Sequence, residues 1–148
     1  VMPPLREKAD QDALIKGLKD GTIDVICSGH LPQDEESKKT EFDQAAFGMI
    51  NLQTFAANIT ALSQLVDLAV LVEKIAVNPR RLLNLDVPVI REGEAAEVTL
   101  LDPAAEWILD ESTSKSKSRN SPWWGQKIKG RVASVFNNNK VWTAPGVR

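Results

Sequence analysis

The stretch Thr22-Ile23-Asp24-Val25-Ile26-Cys27-Ser28-Gly29-His30-Leu31-Pro32-Gln33 decides how this chain is read. Residues 22–27 are a short apolar, β-branched run, the composition of a buried strand in a parallel sheet. Just before it, Glu7 to Asp20 carries Leu14, Ile15 and Leu18 on one helical face. Asp10 and Asp12 suit the positive end of that helix's dipole, and Lys19 suits the negative end. Gly21 is placed to take the left-handed conformation that closes a helix. Helix, Asp-Gly stop and buried strand make half of a βαβ unit, so the expected fold class is α/β. The polar run Ser28–Gln33 then leaves the C-terminal end of the strand, where α/β folds bind their ligands.

Further along, the apolar spacing predicts helices over Leu52–Gln64 and Asp67–Val77. The second is apolar on most sides, so burial on two faces is expected. Asn78-Pro79 reads as N-cap and first helical residue of a short helix carrying Leu82 and Leu83. From Asp86 the character changes. Pro88, Gly93 and Pro103 punctuate expected strands at Val87–Ile90, Glu97–Leu101 and Trp107–Leu109. Arg131–Phe136 and Lys140–Thr143 read as a hairpin about Asn137-Asn138-Asn139, residues that tolerate turn conformations. Ser112–Ser121 is polar and reads as a loop. The expected boundary lies near Leu85, with an α/β part over 1–85 and an all-β part over 86–148.

A chain of 148 residues suits one or two small domains. Apolar residues at 43% and charged residues at 26% exclude disorder throughout. The single cysteine, Cys27, permits no internal disulfide and fits a reducing, cytoplasmic setting. It ends an apolar strand with no paired base, so a buried, inert thiol is expected. One cysteine and one histidine, His30, do not make a His-rich catalytic zinc site. The longest apolar candidate for a membrane helix, Leu65–Val77, is broken by Asp67, Glu73 and Lys74. Val1-Met2-Pro3-Pro4 is no signal peptide, and the absence of an initiator methionine suggests a piece of a longer protein.

The net charge of −2 is unevenly spread. Ser112–Arg148 holds 8 basic and no acidic residues, against 10 basic and 20 acidic before it. Such an end either folds against its own acidic body or reads an acidic partner, and no nucleic-acid motif accompanies it.

Several motifs, in this order, carry a resemblance. They are Pro3-Pro4-Leu5-Arg6, Gly17-Leu18-Lys19-Asp20-Gly21, the decisive stretch 22–33, and Phe42-Asp43-Gln44-Ala45-Ala46-Phe47-Gly48. Asn78-Pro79, Leu100-Leu101-Asp102-Pro103, Ser116-Lys117-Ser118-Arg119-Asn120-Ser121-Pro122 and Lys129-Gly130-Arg131-Val132 follow. Together they resemble the C-terminal portion of a dihydroorotase, a cyclic amidohydrolase. The resemblance implies the last strands and helices of a (β/α)8 barrel over 1–85. It implies the C-terminal share of a small β-sandwich over 86–148. The family's His-x-His metal motif and its later Lys and His ligands would then lie upstream.

The departures are as informative as the matches. Where the family has Thr-Asp-His-Ala-Pro-His, this chain has Ser28-Gly29-His30-Leu31-Pro32-Gln33. The family's aspartate binds metal and acts as general base and acid; Gly29 has no side chain to do either. The family's second histidine of that loop helps hold the substrate carboxylate, and here it is Gln33. The family's asparagine before Pro-Pro-Leu-Arg also contacts substrate, and here it is Met2. Losing a general base alone costs roughly 10²–10⁴-fold in rate. Asp24 lies down the strand from the ligand-binding end, and Asp34, Glu35 and Glu36 follow a proline on a charged loop.

The candidate substrate-loop positions are therefore Met2, Arg6, Ser28, His30, Pro32 and Gln33, with no catalytic residue assigned. His30, without an identifiable partner, reads as structural. Asp34–Lys39 is a solvated loop or, by resemblance, a lid. Trp123-Trp124 is either a partner anchor or packing between the two parts.

The resemblance implies a pyrimidine-synthesis protein that has kept the fold without the chemistry and serves as a structural subunit. Aspartate transcarbamoylase and a homo-oligomer are the implied partners, together with the missing N-terminal part of the same protein. No cofactor is expected in this chain, zinc being the active family's metal. Two rival readings are an active zinc dihydroorotase with a substituted base, and a binding module that uses the basic end.

Overall fold

The computed structural model describes residues 1–4 and 7–145. Helix α1 spans Lys8–Asp20, with Glu7 at its N-cap and Asp10 reaching back to the Glu7 N–H at 3.3 Å. Gly21, at φ 86°, closes it as expected. Asp20 fastens the exit: its carboxylate accepts from the Thr22 N–H at 3.0 Å and the Thr22 hydroxyl at 2.6 Å. Those bonds hold the Asp20 carboxyl below its usual pKa.

Residues 22–27 form no strand, Thr22 lying in a bend and 23–27 in irregular backbone, which corrects the buried-strand expectation. A strand needs a neighbouring strand to satisfy its backbone, and among the described residues none lies beside this segment. Its groups are met by helices instead. The Ile23 N–H donates to the Gly17 carbonyl at 3.0 Å, and the Ile26 N–H donates to the Lys74 carbonyl at 3.0 Å. Ile23 and Ile26 still turn inward against the core. That core is formed by Leu18, Ile59, Val66 and Leu71, with Leu71 fully buried. Cys27 is exposed, not buried, because it falls on the other side of this one-faced segment.

The middle of the chain is helical. Helix α2 spans Phe55–Leu62, shorter than Leu52–Gln64 because residues 52–54 make a turn. Helix α3, Leu68–Val72, starts at Asp67, whose carboxylate accepts from the Ala69 N–H at 2.8 Å. It runs into a π-helical turn, Glu73–Val77, and then into α4, Asn78–Leu82. Asn78 is therefore not the start of a separate helix. Its N–H bonds back to the Glu73 carbonyl, skipping Lys74. That skip frees the Lys74 carbonyl for Ile26, while the Asn78 side chain donates to the Asp24 carbonyl at 3.1 Å. Burial on two faces does not hold for the Asp67–Val77 segment: Leu68 and Val72 are exposed.

The remainder is a three-stranded antiparallel sheet in the order β1-β2-β3, with β1 at Val98–Ile108, β2 at Lys127–Asn137 and β3 at Lys140–Thr143. Val87–Ile90 is not a strand; it has no pairing partner, and Ile90 is 91% exposed. The two expected strands on either side of Pro103 are one strand. Pro103 lies where the register shifts between Asp102 and Glu106, and the Asp102 carboxylate accepts from the Ala104 and Ala105 N–H groups at 2.8 and 3.1 Å. A bulge on an edge strand absorbs a proline in this way. The hairpin is found as expected: Asn138 and Asn139 both have positive φ, 50° and 57°, the geometry of a type I′ turn.

The sheet packs on α2 through Gly130, whose φ is +102°. A Cβ there would meet the Thr60 hydroxyl oxygen at 2.3 Å and the Ala57 Cα at 3.1 Å. The Gly130 carbonyl also accepts from the Trp107 indole N–H at 3.0 Å. Gly130→Ala should therefore destabilise the chain by about 2–4 kcal/mol, from backbone strain plus overpacking. Urea denaturation followed by circular dichroism measures this; a loss within error of zero would mean that α2 and the sheet do not meet as described.

Candidate functional site

The loop leaving segment 22–27 is held by a parallel run of chain. His30 and Met49 form an isolated parallel bridge, and the Leu31 N–H donates to the Met49 carbonyl at 2.9 Å. His30 Nδ1 accepts two backbone N–H groups, from Asn51 at 3.0 Å and Leu52 at 3.1 Å. With Nδ1 an acceptor, the neutral ring carries its proton on Nε2. The Ser28 hydroxyl accepts from the His30 N–H at 3.3 Å, which tightens the turn.

Asn51 is the centre of this network. Its Nδ2 donates to the Ser28 carbonyl at 2.7 Å, and its Oδ1 accepts from the Thr54 hydroxyl and from Asn58 Nδ2, both at 2.7 Å. Sequence reasoning passed over Asn51. The signal was present in Asn51-x-x-Thr54-x-x-x-Asn58, polar residues at helical spacing in an apolar run. Thr54 is 1% exposed, so its hydroxyl requires such a partner.

The loop 110–121 closes over this network from the sheet side. Gln53 bridges to it with both ends of its amide, donating to the Thr113 carbonyl at 2.7 Å and accepting from the Lys115 N–H at 2.9 Å. The Ile50 N–H donates to the Asn120 carbonyl at 2.8 Å, and the Asn120 side chain donates to the Gly48 carbonyl. Asp110 starts the loop by accepting from Ser112 and Thr113, contacts that hold its carboxyl below the ordinary range. Between the two halves lies a cleft of about 330 Å³ bordered by His30, Asn51, Gln53, Leu109, Lys115 and Ser116.

The other loop positions are spread out. Gly29 has φ +58°, and nothing lies within 4 Å of where its Cβ would sit. Gln33 donates to the Phe47 carbonyl at 3.0 Å. Pro32 is exposed and makes no polar contact. Met2 is exposed, and Arg6 lies outside the described residues. None of Gly29, Gln33 and Met2 borders the His30 cleft. Of the carboxylates near the loop, Asp34 is taken up by the Ser37 N–H at 2.6 Å and Glu35 by Lys39. Both carboxyls are held below their usual range by those bonds.

Trp124 pairs with Leu109 across an isolated bridge and lies 5.9 Å from the Arg119 guanidinium, a cation–π distance. Among the described residues, two cations of the basic end pair with acids upstream: Arg119 with Glu111 at 2.6 Å, and Lys127 with Glu106 at 2.5 Å.

These residues do not fit a metal ion. Gly29 offers no side-chain donor atom, and His30 Nδ1 is already engaged by two backbone N–H groups. Among the described residues no group of three His, Cys, Asp or Glu side chains converges. Nor is any helix among them long and apolar enough to cross a membrane.

No family model matches the chain. Over 144 residues it is 43% identical to the dihydroorotase of Chlorobaculum tepidum, covering 94% of this chain and 32% of that protein. It is 47% identical over 141 residues to the dihydroorotase of Desulforapulum autotrophicum, covering 94% and 33%. The chain thus spans about a third of the length of the curated relatives it matches. Among solved structures, the L-hydantoinase (dihydropyrimidinase) of Arthrobacter aurescens superposes with a TM-score of 0.80 at 23% identity, over 99% of this chain and 34% of that one. The inactive dihydroorotase-like domain of the Chaetomium thermophilum CAD-like multifunctional protein superposes with a TM-score of 0.60 at 19% identity, over 95% and 39%. These likenesses show an α/β fold like that of the hydantoinase and of the dihydroorotase-like domain. In sequence, the chain matches the C-terminal portion of the dihydroorotases over almost its whole length.

Asn51→Ala removes three bonds from one part-buried site and should cost about 1–3 kcal/mol. Hydrogen exchange should show the Leu31 amide losing protection before α1 does. Equal loss in both would mean that Asn51 does not specifically hold the loop.

Proposed function

We propose that this chain is part of a dihydroorotase-like protein of pyrimidine biosynthesis whose hydrolytic centre no longer works and which acts as a structural or assembly subunit. The observation that carries the reading is Gly29. A general base must reach the proton of the attacking water. At the family's aspartate position this chain has no side chain, and the space around it is open. Of the carboxylates that follow the loop, Asp34 bonds to Ser37 and Glu35 pairs with Lys39. The reading takes residues 1–85 as the last strands and helices of a (β/α)8 barrel and 86–148 as the C-terminal share of a β-sandwich. The likeness to solved hydantoinase structures supports it, as does the order of elements, with the last helix ending at Leu82 and the first strand beginning at Val98.

A zinc ion in the complete protein would have to rest on ligands outside this chain. The rival reading, an active zinc dihydroorotase, differs in one measurable way. Metal analysis and a dihydroorotate hydrolysis assay on the complete protein should give no turnover. Stoichiometric zinc with ordinary turnover would overturn the proposal. Gly29→Asp, made with Gln33→His and Met2→Asn, fits sterically and should restore measurable activity if the upstream ligands persist; its backbone cost is about 1 kcal/mol, since aspartate tolerates positive φ.

Assembly is the second part of the reading. Phe42 is 99% exposed, and Leu82, Leu83, Leu85 and Ile90 are exposed together along α4 and the segment after it. Segment 22–27 also leaves one backbone edge without a strand partner, an invitation to pairing. The missing N-terminal part of the same protein, a second copy, or aspartate transcarbamoylase would cover such surfaces. Light scattering on the 148-residue chain alone should show self-association; a monodisperse monomer at high concentration would count against it. The basic-end module remains a separate reading, supported by the cations of 112–145 that have no acidic partner among the described residues, and a strong salt dependence of polyanion binding would favour it.

A further inference from the structure

We infer that the cleft beside His30 binds a small monoanionic carboxylate with an apolar body, held by the Lys115 ammonium and the His30 Nε2–H. The inference is independent of the reading of Gly29, since Gly29, Gln33 and Met2 do not border the cleft.

The volume of about 330 Å³ lies at the lower end of small-molecule sites. Its walls include Ile50 and Leu109, which are 4% and 1% exposed, together with Leu52. The polar groups around it divide cleanly. Asn51 spends its amide on Ser28, Thr54 and Asn58. Gln53 spends its own on Thr113 and Lys115. The Thr54 hydroxyl is bonded to Asn51. What keeps hydrogen-bonding capacity is different in kind. His30 Nδ1 is occupied by two N–H groups, so the ring's remaining nitrogen, Nε2, is a donor in the neutral form. Lys115 borders the cleft and has no acidic partner among the described residues, and the Gln53 bond to its backbone N–H anchors the base of its side chain there. The Ser116 hydroxyl accepts from the Ser118 N–H at 3.2 Å and keeps its own proton to donate.

No Asp or Glu borders the cleft. One cation and two neutral donors over an apolar floor match a single negative charge on an apolar body. A dianion would leave one charge uncompensated, and a neutral amide would leave the lysine unmatched.

The test is a titration of the ¹⁵N-labelled chain with hexanoate, using hexanamide and inorganic phosphate as comparison probes. Transverse-relaxation-optimised spectra are suitable because they tolerate an oligomer. Hexanoate should move the Asn51, Leu52 and Lys115 amide signals together on one saturating curve, with hexanamide and phosphate at least about tenfold weaker. Lys115→Met should weaken hexanoate about tenfold, whereas Lys115→Arg should retain it. The proposal is overturned if hexanoate leaves those three amides unmoved, if hexanamide binds as well, or if Lys115→Met binds hexanoate unchanged.

Discussion

The fold turns on how segment 22–27, with no strand beside it, satisfies its backbone. Ile23 and Ile26 turn to the apolar core, and the peptide groups beside them are too costly to bury unpaired. The π turn at Glu73–Val77 supplies the answer. By bonding to Glu73, the Asn78 N–H releases the Lys74 carbonyl for Ile26, and the Asn78 side chain takes the Asp24 carbonyl. Pro79, with no N–H of its own, cannot continue the regular ladder and so favours the skip. One edge of the segment is thereby tied to a helix, its isoleucines reach the core, and the loop that follows leaves from a fixed point.

From that point the same logic is repeated with side chains. Asn51 and His30 together satisfy the Ser28 carbonyl and the Asn51 and Leu52 N–H groups. Gln53 and Asn120 then join the helical half to the loop from the sheet. The result is a polar seam between two apolar bodies. It is where a solvent-facing cleft can persist without stranding buried donors or acceptors, and among the described residues no fully buried side-chain polar atom lacks a partner. Arg119 adds a charge pair with Glu111 and a stack on Trp124 at the outer margin. These exposed contacts are worth little singly. The geometry rests on the amides.

Much of this was legible in the residues. The amphipathic face and Gly21 stop of α1, the Asn138-Asn139 turn and the helical spacing around α2 all rest on local chemistry, and local chemistry is written in adjacent residues. Elements whose state depends on distant partners were misread. Residues 22–27 have the composition of a strand, but composition does not supply a neighbour. Asn78-Pro79 looks like a helix start in any local window, and only the demand of Ile26 for an acceptor makes it the end of a π turn. Pro103 looks like a break because its rescue comes from Asp102 and the bulge together. Of the expected loop positions 28–33, His30 alone borders the cleft. Asn51, whose amide holds Ser28, lies some twenty residues further on and carries no motif.

The polar seam also governs when the molecule can become whole. The Gln53–Thr113 and Asn120–Gly48 bonds close loops of 60 and 72 residues, whereas the helical bonds and the β2–β3 hairpin close within a few positions. Loop closure delays distant contacts relative to local ones. Helices and hairpin are thus able to form early and separately, with the seam as the last step to zip and the first to open. A ligand seated there would act as a late clasp, slowing the parting of the two halves while leaving each half's own folding rate untouched.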